Sequence, residues 1–343
     1  MKNRFFKKLT CIVIAAFMLM SLGACQSKTN DNKASKEGTS SLTSADKKFS
    51  IVCTTFPQYD WVKQILGDKA SDYKISLLLD NGVDLHSYQP TAEDIVNIGS
   101  ADIFIYVGGE SDKWVDDALK EKSNPNLKAI NLLDVLGDAV KEEEVKEGMQ
   151  AEEEEEAEEG EEEEVEYDEH VWLSVKNAKV LVNEIASELE NLDKDNADLF
   201  KENAAKYIVS LDDLDKQYED AVASAKFNTV VFADRFPFRY LVEDYKLDYY
   251  AAFVGCSAES EASFETVTFL SSKVDQLGLN SVLVIETSDK KIAEQVVANT
   301  KNKDAKILVM DSLQSISSQE LNGEKTYLGV MAANLEVLKE ALN

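Results

Sequence analysis

The sequence predicts an α/β protein of two lobes, each with a mainly parallel sheet covered by helices, joined by one long α-helix. Two stretches of the 343-residue chain alternate short β-branched or aromatic runs with segments of helical periodicity. Such alternation is typical of parallel sheets with helices on both faces. Between these stretches, residues 196–225 keep a helical pattern that would extend for about 40 Å, longer than one small domain requires. We therefore expect lobes at 49–195 and 226–343, a connecting helix at 196–225, and a cleft between the lobes.

The first lobe is expected to contain four strands and four helices. The strands are expected at 49–54, 73–79, 103–107 and 129–132, and three of the helices at 59–66, 112–119 and 175–192. A further helix starts after Thr91, because Asp94 three residues later completes a short capping box. The second strand is followed by a loop at 80–90.

The second lobe repeats the same alternation. Its strands are expected at 229–233, 249–253, 281–285 and 306–310, and its helices at 236–245, 263–277, 292–299 and 327–342. In the connecting helix, apolar side chains recur at Ala204, Tyr207, Ile208, Leu211, Leu214 and Tyr218. This spacing places them on one face, as a helix packed against both lobes requires.

The amino-terminal residues have the features of an export signal. A basic lead precedes an apolar run at 9–20, and Leu22-Gly23-Ala24 comes directly before Cys25. The run is too short for a comfortable membrane span, and small residues before a cysteine suit a lipoprotein processing enzyme. We therefore expect a signal peptide at 1–24, lipid on Cys25, a flexible tether at 25–48, and an extracytoplasmic protein anchored to the cell membrane.

The charge of the chain excludes some partners. The formal net charge is -29, which argues against nucleic acid and against attraction to an anionic membrane, so lipid must provide the anchor. Residues 141–169 contain 18 acidic residues and two lysines. A segment with such self-repulsion is predicted to be a disordered loop within the first lobe. Whether it gathers cations or has no role in affinity stays open.

Cysteine chemistry is limited in the mature chain. Of the four cysteines, Cys11 leaves with the signal and Cys25 carries lipid. Cys53 and Cys256 remain as possible disulfide partners in an exported protein, although Cys53 lies in an apolar run that favours a buried strand thiol. No framework of disulfides is therefore expected to hold the fold together.

Histidine is rare in this chain, with His86 and His170 as its two copies. Imidazole is the commonest side-chain metal ligand and titrates near neutral pH. The pair could therefore form a divalent-metal site or an acid/base pair, or the two could be unrelated surface residues.

Ligands of open parallel sheets bind beyond the carboxyl ends of the strands. His86, Asp234 and Glu286 each follow an expected strand, and His170 ends a loop before a helix. Two imidazoles and the Glu286 carboxylate would supply three of the four positions of a tetrahedral zinc site. The alternative for Glu286 is an ordinary acidic residue at a strand end.

Five segments, in this order, carry a resemblance to a known family. They are 50–59 (SIVCTTFPQY), the His86 loop, 101–108 (ADIFIYVG) with Trp114, 168–173 (DEHVWL), and 327–331 (YLGVM) continuing to 342. Together they resemble the zinc/manganese substrate-binding lipoproteins of bacterial ABC importers, over nearly all of the chain after the tether.

The resemblance implies two lobes with a metal in the cleft between them. The first-lobe histidines of the family match His86 and His170, and its second-lobe acidic ligand matches Glu286. The implied ligand is Zn²⁺, alternatively Mn²⁺, captured outside the cytoplasm and passed to an ABC permease. We accordingly expect a monomeric binding protein and not an enzyme. An acidic, often histidine-rich loop of the zinc members corresponds to 141–169, which here contains no histidine.

One position departs from the family pattern. In 232–241 (FADRFPFRYL), Arg235 stands where the family usually has a histidine or glutamate ligand. A guanidinium has no lone pair to give, so Arg235 cannot bind the metal. The remaining ligand could be Asp234, Cys256 or water, and a cysteine would favour zinc over manganese.

Arg235 is instead expected to form an ion pair or to be an ordinary surface residue. The candidate partners are Glu286, Glu259 and Glu261.

Three other functions compete with metal transport. An exported metal hydrolase could use the same ligands, but the chain has no H-E-x-x-H or G-x-S-x-G motif and no evident general base. A surface adhesin could keep the fold with a structural metal. Arg235 could also have converted the site to an anionic ligand.

Overall fold

The computed structural model describes residues 48–150, 166–257 and 261–343. The predicted signal peptide, the lipidated Cys25 and the tether up to residue 47 lie outside these ranges, as does the centre of the acidic segment at 151–165. Among the described residues, no helix combines the length and the apolar character that crossing a bilayer requires.

The first sheet has four parallel strands in the order β2-β1-β3-β4. They are β1 Ser50–Cys53, β2 Lys74–Leu77, β3 Ile103–Tyr106 and β4 Lys128–Asn131. The helices of this lobe are α1 Phe56–Leu66, α2 Ala92–Ser100, α3 Val115–Lys120, α4 Leu132–Leu136 and α5 Val175–Leu192. The capping box expected at Thr91 and Asp94 is present at the start of α2.

The second sheet repeats this topology. Helix α6, Ala197–Ala223, leads into strands β5 Thr229–Phe236, β6 Asp248–Val254, β7 Ser281–Ile285 and β8 Lys306–Met310, which pair in parallel in the order β6-β5-β7-β8. The helices are α7 Arg239–Asp244, α8 Phe264–Leu277, α9 Lys291–Asn299, α10 Ser318–Leu321 and α11 Tyr327–Ala341. The predicted α/β class with two helix-covered parallel sheets is therefore confirmed.

The main local difference from the prediction is at the end of β5. The strand continues to Phe236, and helix α7 begins at Arg239 instead of at 236. Pro237 explains this, because proline disfavours helical geometry in the residue before it and lacks an N–H. The two short helices α4 and α10 were not expected, since four or five residues carry too little periodicity to predict.

Helix α6 contacts elements of both lobes. It packs against α1 and α5 on the first-lobe side and against α11 on the other. Its buried apolar side chains are Phe200, Ala204, Tyr207, Leu211, Leu214 and Tyr218. These side chains recur every three or four residues, so the helix buries one continuous stripe about 27 Å long.

One apolar core extends from the first lobe into the second. Trp172 is fully buried, and its indole N–H donates to the carbonyl oxygen of Ser312 at 2.9 Å. The hydroxyl of Tyr327, also fully buried, donates to the carbonyl oxygen of Trp172 at 2.6 Å. These bonds tie the segment after His170 to the second lobe.

Candidate metal site

His86 lies in a short 3₁₀ turn and His170 directly precedes another, and neighbouring carboxylates hold both histidines. His86 belongs to the turn Leu85–Ser87 after β2, where Asp84 Oδ1 accepts from the backbone N–H of His86 at 3.1 Å. His170 precedes the turn Val171–Leu173, and its backbone N–H donates to Asp168 Oδ1 at 2.9 Å. The backbone that carries each ring is thus held in place by a hydrogen bond to a nearby carboxylate.

The two imidazoles face each other. Their Nε2 atoms lie 3.1 Å apart. Two nitrogens on one tetrahedral zinc, each at about 2.0–2.1 Å from the metal, would be about 3.3 Å apart. The observed spacing is therefore close to the one that a shared ion requires.

The other ring nitrogens are occupied, which orients both Nε2 atoms toward the shared position. Nδ1 of His170 lies 2.9 Å from Asp168 Oδ1, and Nδ1 of His86 lies 2.8 Å from Ser111 Oγ. Glu169 Oε2 is 3.6 Å from the same nitrogen of His86. A hydrogen bond at one imidazole nitrogen fixes the tautomer and presents the other nitrogen to a metal.

The two rings differ in their affinity for protons. Burial and the adjacent His170 lower the pKa of His86 to about 3, so its imidazole is neutral at physiological pH. Burial alone would lower the pKa of His170, but the nearby Asp168, Glu169 and Glu143 carboxylates raise it above its ordinary value. Without a metal, a proton on His170 is consequently favoured over one on His86.

Cys256 belongs to the same group. A ring nitrogen of each histidine and Sγ of Cys256 all lie within 4.8 Å of one another. The preceding Gly255 permits this approach, because a Cβ there would be 2.9 Å from Cε1 of His170. The backbone N–H of Cys256 donates to Glu143 Oε1 at 3.2 Å, so the acidic segment holds this loop.

Glu286 lies outside this group of three in the described structure. Its Oε2 accepts from the backbone N–H of Ser312 at 2.7 Å, and its Oε1 accepts from the Ser312 hydroxyl at 2.8 Å. Burial, together with the charge of Asp311, raises the pKa of Glu286 to about 7. The strand-end position was as expected, but tertiary contacts direct this carboxyl group to Ser312.

Asp234 is not part of the group formed by His86, His170 and Cys256, and the neighbouring Arg235 has a carboxylate partner of its own. Asp234 Oδ1 accepts from the backbone N–H of Arg235 at 2.9 Å, while its buried Oδ2 has no hydrogen-bond partner. The guanidinium of Arg235 pairs with Asp84 at 2.8 Å and donates to the carbonyl oxygen of Ser257.

The expected ion pair of Arg235 is present, but its partner among the described residues is Asp84 and not Glu286 or Glu261, while the candidate Glu259 lies outside the described residues. The Asp84 carboxylate comes from the first-lobe loop, and no local pattern could indicate that a residue 151 positions earlier meets Arg235. Burial would raise the pKa of Asp84, but the Arg235 charge and hydrogen bond hold it below its ordinary value. The cation is thus neutralised, which disfavours an anionic ligand at this position.

The Arg235–Asp84 pair is expected to stabilise the cleft. A double-mutant cycle with Arg235→Met, Asp84→Asn and the double variant should give a coupling energy of about 0.5–3 kcal/mol in urea unfolding. Arg235→Met alone should cost the most, because it leaves the Asp84 charge half-buried and unpaired. Additive single effects would show that the pair contributes nothing to stability.

A cavity of about 350 Å³ opens beside His86 and Cys256. Its lining includes the acidic residues Glu110, Glu143, Glu166 and Glu169. Negative charge of this kind attracts cations toward the histidine pair.

The two ends of the acidic segment pack against the second lobe. Lys141 pairs with Glu243 and Lys146 with Asp248, and the backbone N–H of Gln150 donates to the carbonyl oxygen of Ala252. The prediction of disorder across 141–169 is therefore too broad, because ion pairs and a hydrogen bond hold 141–150, and the Tyr240 hydroxyl donates to the carbonyl oxygen of Asp168 at the other end. For 151–165 that prediction concerns residues outside the described part.

Sequence reasoning assigned no role to several residues around the histidines. Asp168 and Glu169 directly precede His170 and could have been noticed as carboxylates within reach of its ring. Gly109 was not apparent, although its φ of 82° and the 2.5 Å between a Cβ there and Glu169 Oε1 both favour glycine. Ser111 and Glu143 also gave no sequence signal, since only the fold brings them to the site.

Comparison with known proteins identifies the class of this chain. The family model described as "ZnuA: Zinc-uptake complex component A periplasmic" matches residues 51–341. The high-affinity zinc uptake system protein ZnuA of Bacillus subtilis is 29% identical over 337 residues, covering 98% of each chain. The zinc-binding lipoprotein AdcA of Streptococcus pneumoniae is 32% identical over 298 residues, which cover 86% of this chain and 56% of AdcA.

Solved structures agree with this assignment. The Zn(II)-bound ZnuA-like domain of Streptococcus pneumoniae AdcA aligns with a TM-score of 0.65 at 27% identity, covering 86% of this chain and 99% of that one. The metal-dependent lipoprotein YcdH of Bacillus subtilis aligns with a TM-score of 0.68, also at 27% identity and with the same coverage. The resemblance seen in the sequence is thereby confirmed.

Proposed function

This chain belongs to the ZnuA family of zinc-uptake components, and we propose that it captures Zn²⁺ outside the cytoplasm and delivers it to an ABC permease. The observation that carries the proposal is the 3.1 Å approach of the Nε2 atoms of His86 and His170. These are the two histidines of the whole chain, they come from separate loops, and both have their Nδ1 atoms engaged elsewhere.

The donors around the pair favour zinc over manganese. Imidazole suits Zn²⁺, whereas Mn²⁺ favours carboxylate, carbonyl and water oxygens. The first-lobe ligands are His86 and His170. Glu286 remains a candidate that would have to leave Ser312 before it could reach the ion.

The proposed role requires binding and release, without a chemical step. The family is one of zinc-uptake components, and the proposed ligands would hold the ion without a group that activates water. We propose that the mature chain is a monomer held at the outer face of the cell membrane by lipid on Cys25. The cleft then presents its ion to the permease.

Metal analysis of the purified full chain tests this function. After removal of bound metal, the protein is dialysed against equal concentrations of Zn²⁺ and Mn²⁺, and both are quantified by mass spectrometry. One tightly bound Zn²⁺ per chain is expected. A chain that binds neither ion, or that prefers Mn²⁺, contradicts the proposal.

A further inference from the structure

We propose that the thiolate of Cys256 is a zinc ligand supplied by the second lobe, so that the protein donors are two imidazole nitrogens and one sulfur. This inference rests on the proposed function, since it concerns the same ion. In the family, a histidine or glutamate at the position of Arg235 usually supplies this second-lobe ligand; here Cys256 would supply it instead.

The geometry permits all three bonds with small movements. With zinc–nitrogen and zinc–sulfur bonds of about 2.0–2.1 and 2.3 Å, tetrahedral coordination needs nitrogen–sulfur separations of about 3.6 Å. One ring nitrogen of each histidine and Sγ of Cys256 already lie within 4.8 Å of one another. The ion would therefore draw Sγ inward by somewhat more than about 1 Å, within the reach of one side-chain rotation and a small loop adjustment.

The loop carrying Cys256 is held against the histidine. It follows β6, which ends at Val254, so Cys256 lies at the carboxyl edge of the second sheet. Gly255 allows the backbone to approach the ring of His170. Two hydrogen bonds fix this loop. The backbone N–H of Cys256 donates to Glu143, and the Arg235 guanidinium donates to the carbonyl oxygen of Ser257.

The alternative second-lobe donors are engaged elsewhere or lie apart. Arg235 has no lone pair and binds Asp84. Both oxygens of Glu286 accept from Ser312, and neither Glu286 nor Asp234 joins the described group of potential metal ligands. Cys256 is consequently the second-lobe donor best placed for the ion.

A buried carboxylate beside the histidine pair is compatible with a cation in this cavity, although it contacts the Nδ1 side of His86. Glu169 is 1% exposed, and its Oε2 has no hydrogen-bond partner, although it lines the same cavity as His86 and Cys256. A buried carboxylate without a full set of partners is costly unless positive charge is nearby. Zinc with two neutral imidazoles and one thiolate keeps a net charge of about +1, which this carboxylate can balance.

The sulfur donor restricts the class of metal. Thiolate favours Zn²⁺ and other soft or borderline ions, whereas Mn²⁺, Mg²⁺ and Ca²⁺ favour oxygen. Binding replaces the thiol proton, which passes to solvent, by a zinc–sulfur bond. The site would therefore discriminate against Mn²⁺ through its donor chemistry.

Cobalt substitution of the full chain tests the sulfur bond directly. Co²⁺ occupies zinc sites and gives a near-ultraviolet thiolate-to-cobalt charge-transfer band only when sulfur is bound. We expect this band in the unchanged protein and in the control Cys53→Ala, which removes a buried strand thiol, and its loss in Cys256→Ser. The zinc affinity of Cys256→Ser should fall by at least roughly 10- to 100-fold. Replacing a residue that only orients a metal ligand already lowers affinity by that factor, and Cys256 is proposed as a ligand itself.

Alkylation of the unchanged chain provides a test that does not depend on a variant folding. Iodoacetamide labelling of Cys256, read by peptide mass spectrometry, should be slowed by stoichiometric Zn²⁺. A protein that binds one Zn²⁺ but shows no charge-transfer band and no protection of Cys256 overturns the ligand assignment while the proposed function stands. A protein that binds neither Zn²⁺ nor Co²⁺ overturns both.

Discussion

Replacing His170 with alanine is expected to weaken Zn²⁺ binding by at least roughly 100-fold, beyond the range for changes to groups that only support a ligand. His170 is fully buried, its ring is oriented by Asp168, and its Nε2 faces the Nε2 of His86. Alanine removes the nitrogen and leaves a gap that water cannot fill with the same donor strength. Competition with a chromophoric zinc chelator measures the loss of affinity.

The control for His170→Ala is a substitution far from any proposed ligand. Val209 lies on helix α6 and is 59% exposed, so Val209→Ala should bind Zn²⁺ as the unchanged chain does. Circular dichroism of both variants checks that the fold survives. Unaltered zinc affinity in a folded His170→Ala protein would refute the role of the histidine pair.

Replacing Trp172 with alanine is expected to lower the free energy of unfolding by about 3–5 kcal/mol, the usual range for a large buried aromatic side chain. The indole is fully buried and donates to the carbonyl oxygen of Ser312, which would lose its partner. Its ring also packs edge-on against His170, with ring centroids 5.4 Å apart. The loss should therefore reach both stability and the metal site.

Urea unfolding followed by circular dichroism measures this effect. Trp172→Phe keeps most of the apolar volume but lacks the N–H, so it should cost less than alanine and separate packing from the hydrogen bond. Added Zn²⁺ should raise the midpoint of the unchanged protein, because a ligand that binds only the folded state stabilises it. A midpoint for Trp172→Ala equal to that of Val209→Ala would contradict the structural role.

Local sequence patterns were sufficient for most of the architecture. Short β-branched runs indicated each of the eight strands described here, and helical spacing indicated the longer helices between them. These patterns arise because burial of one face imposes a period of 2 residues on a strand and 3.6 residues on a helix. Turn chemistry added detail, as Thr91 and Asp94 show at the start of α2. Where the pattern misled, at the end of β5, the proline at 237 was the overlooked local signal.

Residue scarcity and the family resemblance directed attention to His86 and His170. The ligands beyond that pair were harder to select from the sequence, because Asp234, Cys256 and Glu286 all come shortly after strands expected from the sequence of the second lobe. All three could reach a cleft in principle. Nothing local distinguishes a carboxyl group satisfied by Ser312 from one directed at a metal.

The linear chain was enough to establish the α/β class, the two lobes, the long helix and the two histidines as candidates, since these depend on periodicity and residue identity. The three-dimensional arrangement placed Cys256 beside the histidines, paired Arg235 with Asp84 and turned Glu286 toward Ser312. These outcomes depend on contacts between segments far apart in sequence. Their energies arise from burial and charge pairing that exist only after the chain has folded.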